Sequence, residues 1–222
     1  MKQAFIFWPK KKQNNLDTSD RKGKAIVDVS GGKRLDLDLI KDEVAFIIHR
    51  GSLGSDIDKK IEERAAKMNE LNIPFGVYCY SYAGTKEKAI DEAQKLIKYT
   101  SKYNPLFYVM DAEERIITHD TIKTFAEELR RCGAKKIGCY CANHLHDNYN
   151  YSDLQHLFDF TWIPRYSKNN DGTLEPEVRP KHFCDLWQYT SKGKIKGMKG
   201  YADMNIITGD GHDLDWFLDR GE

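Results

Sequence analysis

Three segments of the sequence carry acids where chemistry could be done: Val27-Asp28-Val29-Ser30, Met110-Asp111-Ala112-Glu113 and Tyr201-Ala202-Asp203-Met204-Asn205. Each has strand-like, apolar surroundings. A carboxylate flanked by Ile, Val and Met on a core strand is costly to bury without a partner. One such acid reads as a cap or an ion pair. Three segments far apart in sequence point to convergence on one site. Asp111 and Glu113 stand two apart, so on a strand they share a face, separated by about 6.5 Å of rise. Phe107 and Val109 precede them on that face, which turns from apolar to acidic at the strand end, while Tyr108, Met110 and Ala112 face outward. Like charges and apolar walls both raise a carboxyl pKa. A carboxylic acid kept protonated near neutral pH serves as a general acid. Two carboxyls about one bond are the usual equipment of glycoside hydrolysis. Spacing alone also admits a plainer reading, in which Asp111 and Glu113 cap the next helix. Aromatic residues lie near the same strand ends: Tyr78 and Tyr80, Trp162 and Tyr166, Trp187 and Tyr189. Such rings cover the flat C–H faces of sugars, although most aromatic residues in any chain are core. Two or three of these six are expected to touch substrate.

The elements that must position these groups begin at Ala25. Ala25–Ser30, Val44–Arg50, Phe75–Ala83, Leu106–Glu113 and Lys136–Ala142 read as strands, and Asp58–Leu71, Thr85–Lys102 and Thr118–Cys132 as helices between them. Thr85 offers an N-cap and Gly133 a C-terminal stop. Leu157–Tyr166, Asp185–Thr190 and Gly200–Ile207 are later strands, the last two without a helix between them. Strands alternating with helices imply parallel βαβ units. The late strands break the regularity of an eightfold barrel, so the expected fold is an irregular, TIM-like α/β barrel of about 200 residues, with chemistry at the strand ends. The polar stretch Lys168–His182 is long for a mere connection and is expected to border a site.

The chain has 222 residues, 40% hydrophobic and 31% charged, which suits a folded globular protein. Lys and Arg number 35 against 34 Asp and Glu, a net charge of +1, which argues against a general nucleic-acid or anionic-membrane binder. Residues 1–24 hold seven basic residues against Asp17 and Asp20. They read as a basic extension, a solvated arm with Phe5, Phe7 and Trp8 against the body, ahead of a barrel domain at 25–222; docking on an anionic wall polymer or a second subunit is the alternative. No apolar run approaches a membrane span. Ala4–Trp8 is too short for a signal-peptide core and stops at Pro9. Five cysteines, an odd number, are no disulfide framework. Cys139-x-Cys141 followed by His144 and His146 makes a metal conceivable, but the spacing lacks two further ligands, and small buried thiols are the expectation. No metal or cofactor is implied.

The segments, taken in order, resemble the family-25 glycoside hydrolases, the Chalaropsis-type lysozymes of phage endolysins and bacterial autolysins. The matching pieces are the Val27–Ser30 and Phe46–Gly51 segments, Ile73–Ala83, Asp111–Glu113, Trp187–Ser191 and Gly200–Asn205. Singly each is weak; six in order over about residues 25–207 are specific. The resemblance implies a (β/α)5β3 barrel that cleaves the β-1,4 bond between N-acetylmuramic acid and N-acetylglucosamine in bacterial peptidoglycan. It implies Glu113 as general acid, and Asp111 beside the substrate's 2-acetamido group, either orienting it as internal nucleophile or helping to place water. Asp28 and Asp203 would complete an acidic floor. Tyr78, Tyr80, Arg50, Tyr166 and Trp187 would bind substrate. Synthesis in the cytoplasm without a signal peptide, followed by action at the cell wall, belongs to the same expectation.

The sequence departs from the family pattern in places. The stretch after Asp28-Val29-Ser30 reads Gly31-Gly32-Lys33 in place of a run ending Gln-Gly, and Cys79 stands where a His is usual. These bear on substrate detail more than on chemistry, because all four acidic positions are filled. Two other readings stay open: a catalytically inactive barrel that binds wall glycan, and a hydrolase of another polysaccharide such as chitin.

Overall fold

The computed structural model describes residues 19–219. Eight strands form one closed sheet: β1 (Ala25–Val29), β2 (Val44–Leu53), β3 (Phe75–Tyr80), β4 (Tyr108–Asp111), β5 (Ile137–Tyr140), β6 (Phe160–Pro164), β7 (Leu186–Gly193) and β8 (Ala202–Ile207). β1 to β7 pair in parallel, each with the next. β8 runs antiparallel to both β7 and β1 and closes the barrel. Helices α1 (Ile61–Glu70), α2 (Lys86–Thr100) and α3 (His119–Arg131) cross from β2 to β3, β3 to β4 and β4 to β5. One-turn Leu37–Ile40 and short Asn143–Asn148 serve the first and fifth crossovers. Five strand–helix units and three further strands make this a TIM-like (β/α)5β3 barrel.

Period-two alternation divides each strand between two cores. Inward residues Phe46, Ile48, Phe107, Val109, Phe160 and Leu186 fill the barrel, while Val77, Tyr108, Met110 and Cys139 belong to the layer between barrel and helices. Large rings are matched by absent side chains. A Cβ on Gly76 would lie 2.1 Å from the Phe107 ring, and one on Gly138 would lie 2.3 Å from Phe160, its partner in register. Helix Leu214–Leu218 brings Phe217 into the same cluster, edge-on to Phe160 at 5.1 Å and stacked on Phe46 at 5.7 Å. α2 starts at Thr85, whose hydroxyl accepts from the Lys88 N–H, and α3 starts at a Thr118–Thr121 capping box.

Several details differ from the sequence expectation. β4 ends at Asp111, so Glu113 stands just beyond the ladder. β6 starts at Phe160 because residues 155–157 form a 3-10 turn. A short antiparallel ladder of Arg34–Leu35 with Met198–Lys199, which hydrophobic patterning is too short to signal, lies beside the barrel. Of the basic extension, residues 1–18 lie outside the described residues. The next residues are tied down: Arg21 donates to the carbonyls of Lys41, Val44 and Asn72. No helix among the described residues is long and apolar enough to cross a membrane.

Candidate active site

The inward positions of β4 run Phe107, Val109, Asp111, from the aromatic floor to the mouth. The same alternation carries Ile26 to Asp28 on β1, Ile48 to Arg50 on β2, and Ile207 through Asn205 to Asp203 on β8. Asp28 and Asp203 face each other directly across the β1–β8 ladder. Asp111 is buried and Glu113 is open to solvent. The structure therefore gathers all four acids at one barrel end, close enough to perturb one another.

Asp28 is held by a fixed network. Gln188 Nε2 and Asn205 Nδ2 both donate to its Oδ2, at 2.8 and 2.9 Å. The Trp162 indole N–H donates to Asn205 Oδ1 at 2.8 Å, and the Tyr140 and Tyr166 hydroxyls donate to Gln188 Oε1. These donors leave each amide only one orientation, with its NH2 toward Asp28. Burial, reinforced by the Asp203 charge, still pushes the Asp28 carboxyl up to about 7; the two amides and Lys33 act against it. Burial also raises half-buried Asp203, opposed by Lys33 Nζ at 3.1 Å from its Oδ2.

Asp111 is raised as well. Burial, then Glu113 and Asp28, hold its pKa well above the usual carboxylate range, with Arg50 opposing. Its Oδ1 is buried without a hydrogen-bond partner among the described residues. Glu113 is raised by the partial burial of its carboxyl and, to a smaller extent, by Glu114, while the Tyr80 hydroxyl pulls it back. The Tyr80 hydroxyl proton is directed to Glu114 Oε1, at 2.8 Å. Arg50 is fixed by buried Asp58, which accepts from Arg50 Nε at 2.8 Å and from the Gly31 and Lys60 amides. Neighbouring acids that resist joint ionisation titrate as a set, and the first proton lost lowers the tendency to lose the next.

Of the expected substrate-binding residues, Tyr78, Tyr80, Tyr166 and Arg50 are at this end. Tyr78 is almost sealed, edge-on to Trp162 at 6.5 Å, and feels Asp28 and Asp111. Tyr166 is 36% exposed. Trp187 is a correction. It lies on the outer side of β7, opposite in alternation to Gln188, 3% exposed among Ile163 and Cys184, and its indole N–H donates to the Arg165 carbonyl. Sequence reasoning gave no role to Tyr140, Gln188 or Asn205. Asp203-x-Asn205 has the same spacing as Asp111-x-Glu113 and was the available signal.

As for metal, Cys139 and Cys141 are buried in the outer layer and His144 is exposed. His146, Asp147 and His182 bring ligand atoms within 4.8 Å of one another. The two imidazoles, however, stack 3.8 Å apart at 5°. Parallel, offset ring planes share no point where one ion would lie in both.

Residues 32–198 match the model of glycosyl hydrolases family 25. Among solved structures, the chain is similar to GHIP, a glycosyl hydrolase 25 of Streptococcus pneumoniae, with 25% identity and a TM-score of 0.82 over 90% of this chain and 93% of that one. It is similar to the catalytic domain of endolysin ply40 from bacteriophage P40 of Listeria monocytogenes, with 25% identity and a TM-score of 0.75 over 90% and 98%. A bacterial lysozyme from Streptomyces coelicolor, at 16% identity and a TM-score of 0.69 over 90% and 98%, shares the fold. A comparison with curated proteins finds no match.

Proposed function

The chain belongs to glycosyl hydrolase family 25, and from that premise we propose that it is a peptidoglycan muramidase cleaving the β-1,4 bond between N-acetylmuramic acid and N-acetylglucosamine. The observation that carries this reading is the Asp111–Glu113 pair: one acid buried with an unpartnered oxygen, the next open to the mouth, each raised in pKa. The likeness to an endolysin catalytic domain supports the choice of substrate.

Burial and repulsion together favour one proton held between Asp111 and Glu113. With that proton on Glu113, Asp111 is relieved of its closest like charge and ionises more readily. In this state Glu113 donates its proton to the glycosidic oxygen as the bond breaks. Asp111 offers a carboxylate oxygen to the N–H of the 2-acetamido group, which turns the acetamido oxygen toward the sugar's anomeric carbon. Such substrate assistance needs no carboxylate nucleophile. Deprotonated Glu113 then takes a proton from water attacking the same carbon. Asp28 adds to the charge that resists ionisation of Asp111, and Asp203 does the same to Asp28. Tyr80 and Tyr166 line the sugar path, with Tyr78 packed behind them.

The test is digestion of purified peptidoglycan beside a chitin control, with the new reducing ends identified by borohydride reduction and mass spectrometry. Reduced muramic acid residues, with chitin untouched, are expected. Reduced glucosamine ends, or digestion of chitin, would overturn the bond assignment, and binding without cleavage would favour an inactive glycan-binding barrel.

A further inference from the structure

We propose that a cationic groove beside the mouth is a subsite for the carboxylate-bearing stem peptides of peptidoglycan; the proposal rests on reading the mouth as the glycan-cleaving site. The groove encloses about 850 Å³ between the loop after β1, the Arg34–Leu35/Met198–Lys199 ladder and the face of α1. A second hollow of about 560 Å³ adjoins it at Met198 and is lined by Lys194 and Lys196.

Charge is the distinguishing feature. Arg34 and Lys199 are direct partners across the antiparallel ladder, and both are exposed. Like charges directly opposite destabilise a ladder, so this pairing favours an anion between them. Neither these two nor Lys194 and Lys196 has an ion-pair partner among the described residues, whereas Lys60 and Lys67 at the α1 wall are paired with Glu63 and Glu70. Of the acids lining the groove, Glu63 and Asp38 are paired with Lys60 and Lys67, which leaves Asp36 alone against four unpaired cations, a local excess in a chain of net charge +1.

The groove is also built and joined to the mouth. Buried Arg64 donates to the carbonyls of Ser30 and Lys33, and the Gly31 amide donates to Asp58, which fixes the connecting loop. Gly197, at φ +88°, closes against Ile40 so tightly that a Cβ there would meet its backbone nitrogen at 2.7 Å. Lys33 lines the groove while its Nζ contacts Asp203 Oδ2 and the Tyr201 carbonyl, both at 3.1 Å. Lys33 thus stands between the mouth and the groove, and a substituent of a bound glycan strand that extends past Lys33 enters the groove. Neutral sugars give cations little to bind. Stem peptides carry free carboxylates and branch from every muramic acid residue that retains its peptide, so they meet the groove at any cut.

The test compares wild type with the variant Arg34→Gln, Lys194→Gln, Lys196→Gln, Lys199→Gln on teichoic-acid-free peptidoglycan, before and after an amidase removes its peptides. On peptide-bearing glycan the variant's KM should rise about tenfold with kcat unchanged, four weak ion pairs being lost. Because the amidase leaves a lactyl carboxylate on each muramic acid, the stripped strands are used after those carboxylates are converted to methyl amides; on them the two proteins should match, and about 0.5 M sodium chloride should erase the wild-type advantage. Equal KM values on peptide-bearing glycan, or an equal loss on stripped strands, would overturn the proposal. So would a defect seen only on walls that retain teichoic acid, which would assign the groove to a phosphate polymer. Lys194→Gln with Lys196→Gln, outside the ladder, is the second variant should the first misfold; about a threefold rise is expected. Binding of a soluble muramyl pentapeptide, followed by NMR, reads the groove apart from catalysis. Binding lost in the variant while neither protein cuts any glycan would sink the enzymatic reading and leave the groove standing.

Discussion

Glu113 and Asp28 separate two uses of a carboxyl in one site. Glu113 is exposed, so replacing it costs little folding energy, while the reaction loses its proton donor. Glu113→Gln is expected to slow release of reducing ends at least 10²-fold, about 3 kcal/mol or more of transition-state stabilisation, with a melting temperature at neutral pH no lower than that of wild type. Wild-type-like turnover would remove Glu113 from the mechanism. Asp28 is buried with its carboxyl raised to about 7 from an ordinary 3.8. Between those values the folded chain binds more protons than the unfolded chain, so stability falls as pH rises through that window and is fully present only below it. Asp28→Asn removes this liability and keeps an oxygen for Gln188 and Asn205. It is expected to melt higher than wild type at pH 8, by an amount equivalent to as much as about 4 kcal/mol, and to gain nothing near pH 3. Denaturant titrations at the two pH values decide it; an equal gain at both would mean that packing, not protonation, sets the difference.

At the scale of elements, the barrel interior is a fit of rings to missing side chains. Gly138 faces its register partner Phe160, and a methyl group there would collide with the ring. Overpacking of a filled core costs about 1–3 kcal/mol. Gly138→Ala should lower the urea midpoint accordingly, and Gly138→Ala with Phe160→Leu should recover part of the loss; no recovery would place the strain elsewhere. Much of this frame was legible beforehand. The inward face Phe107, Val109, Asp111 followed from period-two spacing, the start of α2 from its Thr85 cap and the end of α3 from Gly133. Trp187 was misassigned because a strand segment does not declare which face is inward: Gln188, polar and flanked by two aromatic residues, reads as the outward position, yet its amide serves Asp28 inside the barrel. The Arg34–Lys199 pairing was invisible, since two-residue strands have no periodicity and their partners lie far apart in sequence.

The whole molecule is a barrel open at one end and plugged at the other, and the two ends need each other. The acids at the mouth lower stability near neutral pH, so the aromatic end must supply a compensating excess of burial. Phe217 closes that end from outside the barrel's own strands. It is fully buried against Phe46, Phe107 and Phe160, and its helix is fixed by Lys136, whose Nζ donates to the Trp216 and Asp219 carbonyls and lies 4.1 Å over the Trp216 ring. Phe217→Ala is expected to cost about 3–5 kcal/mol, while the pH profile of kcat at a temperature where the variant is folded stays that of wild type, because no charged group near Asp111 or Glu113 has moved. The penalty should weigh most above pH 7, where the mouth acids are ionised and the margin is smallest, so the variant's melting temperature should fall with pH from a lower start but in parallel with wild type. A shifted kcat profile would show that the floor tunes the acids directly, and that the two ends are not separable.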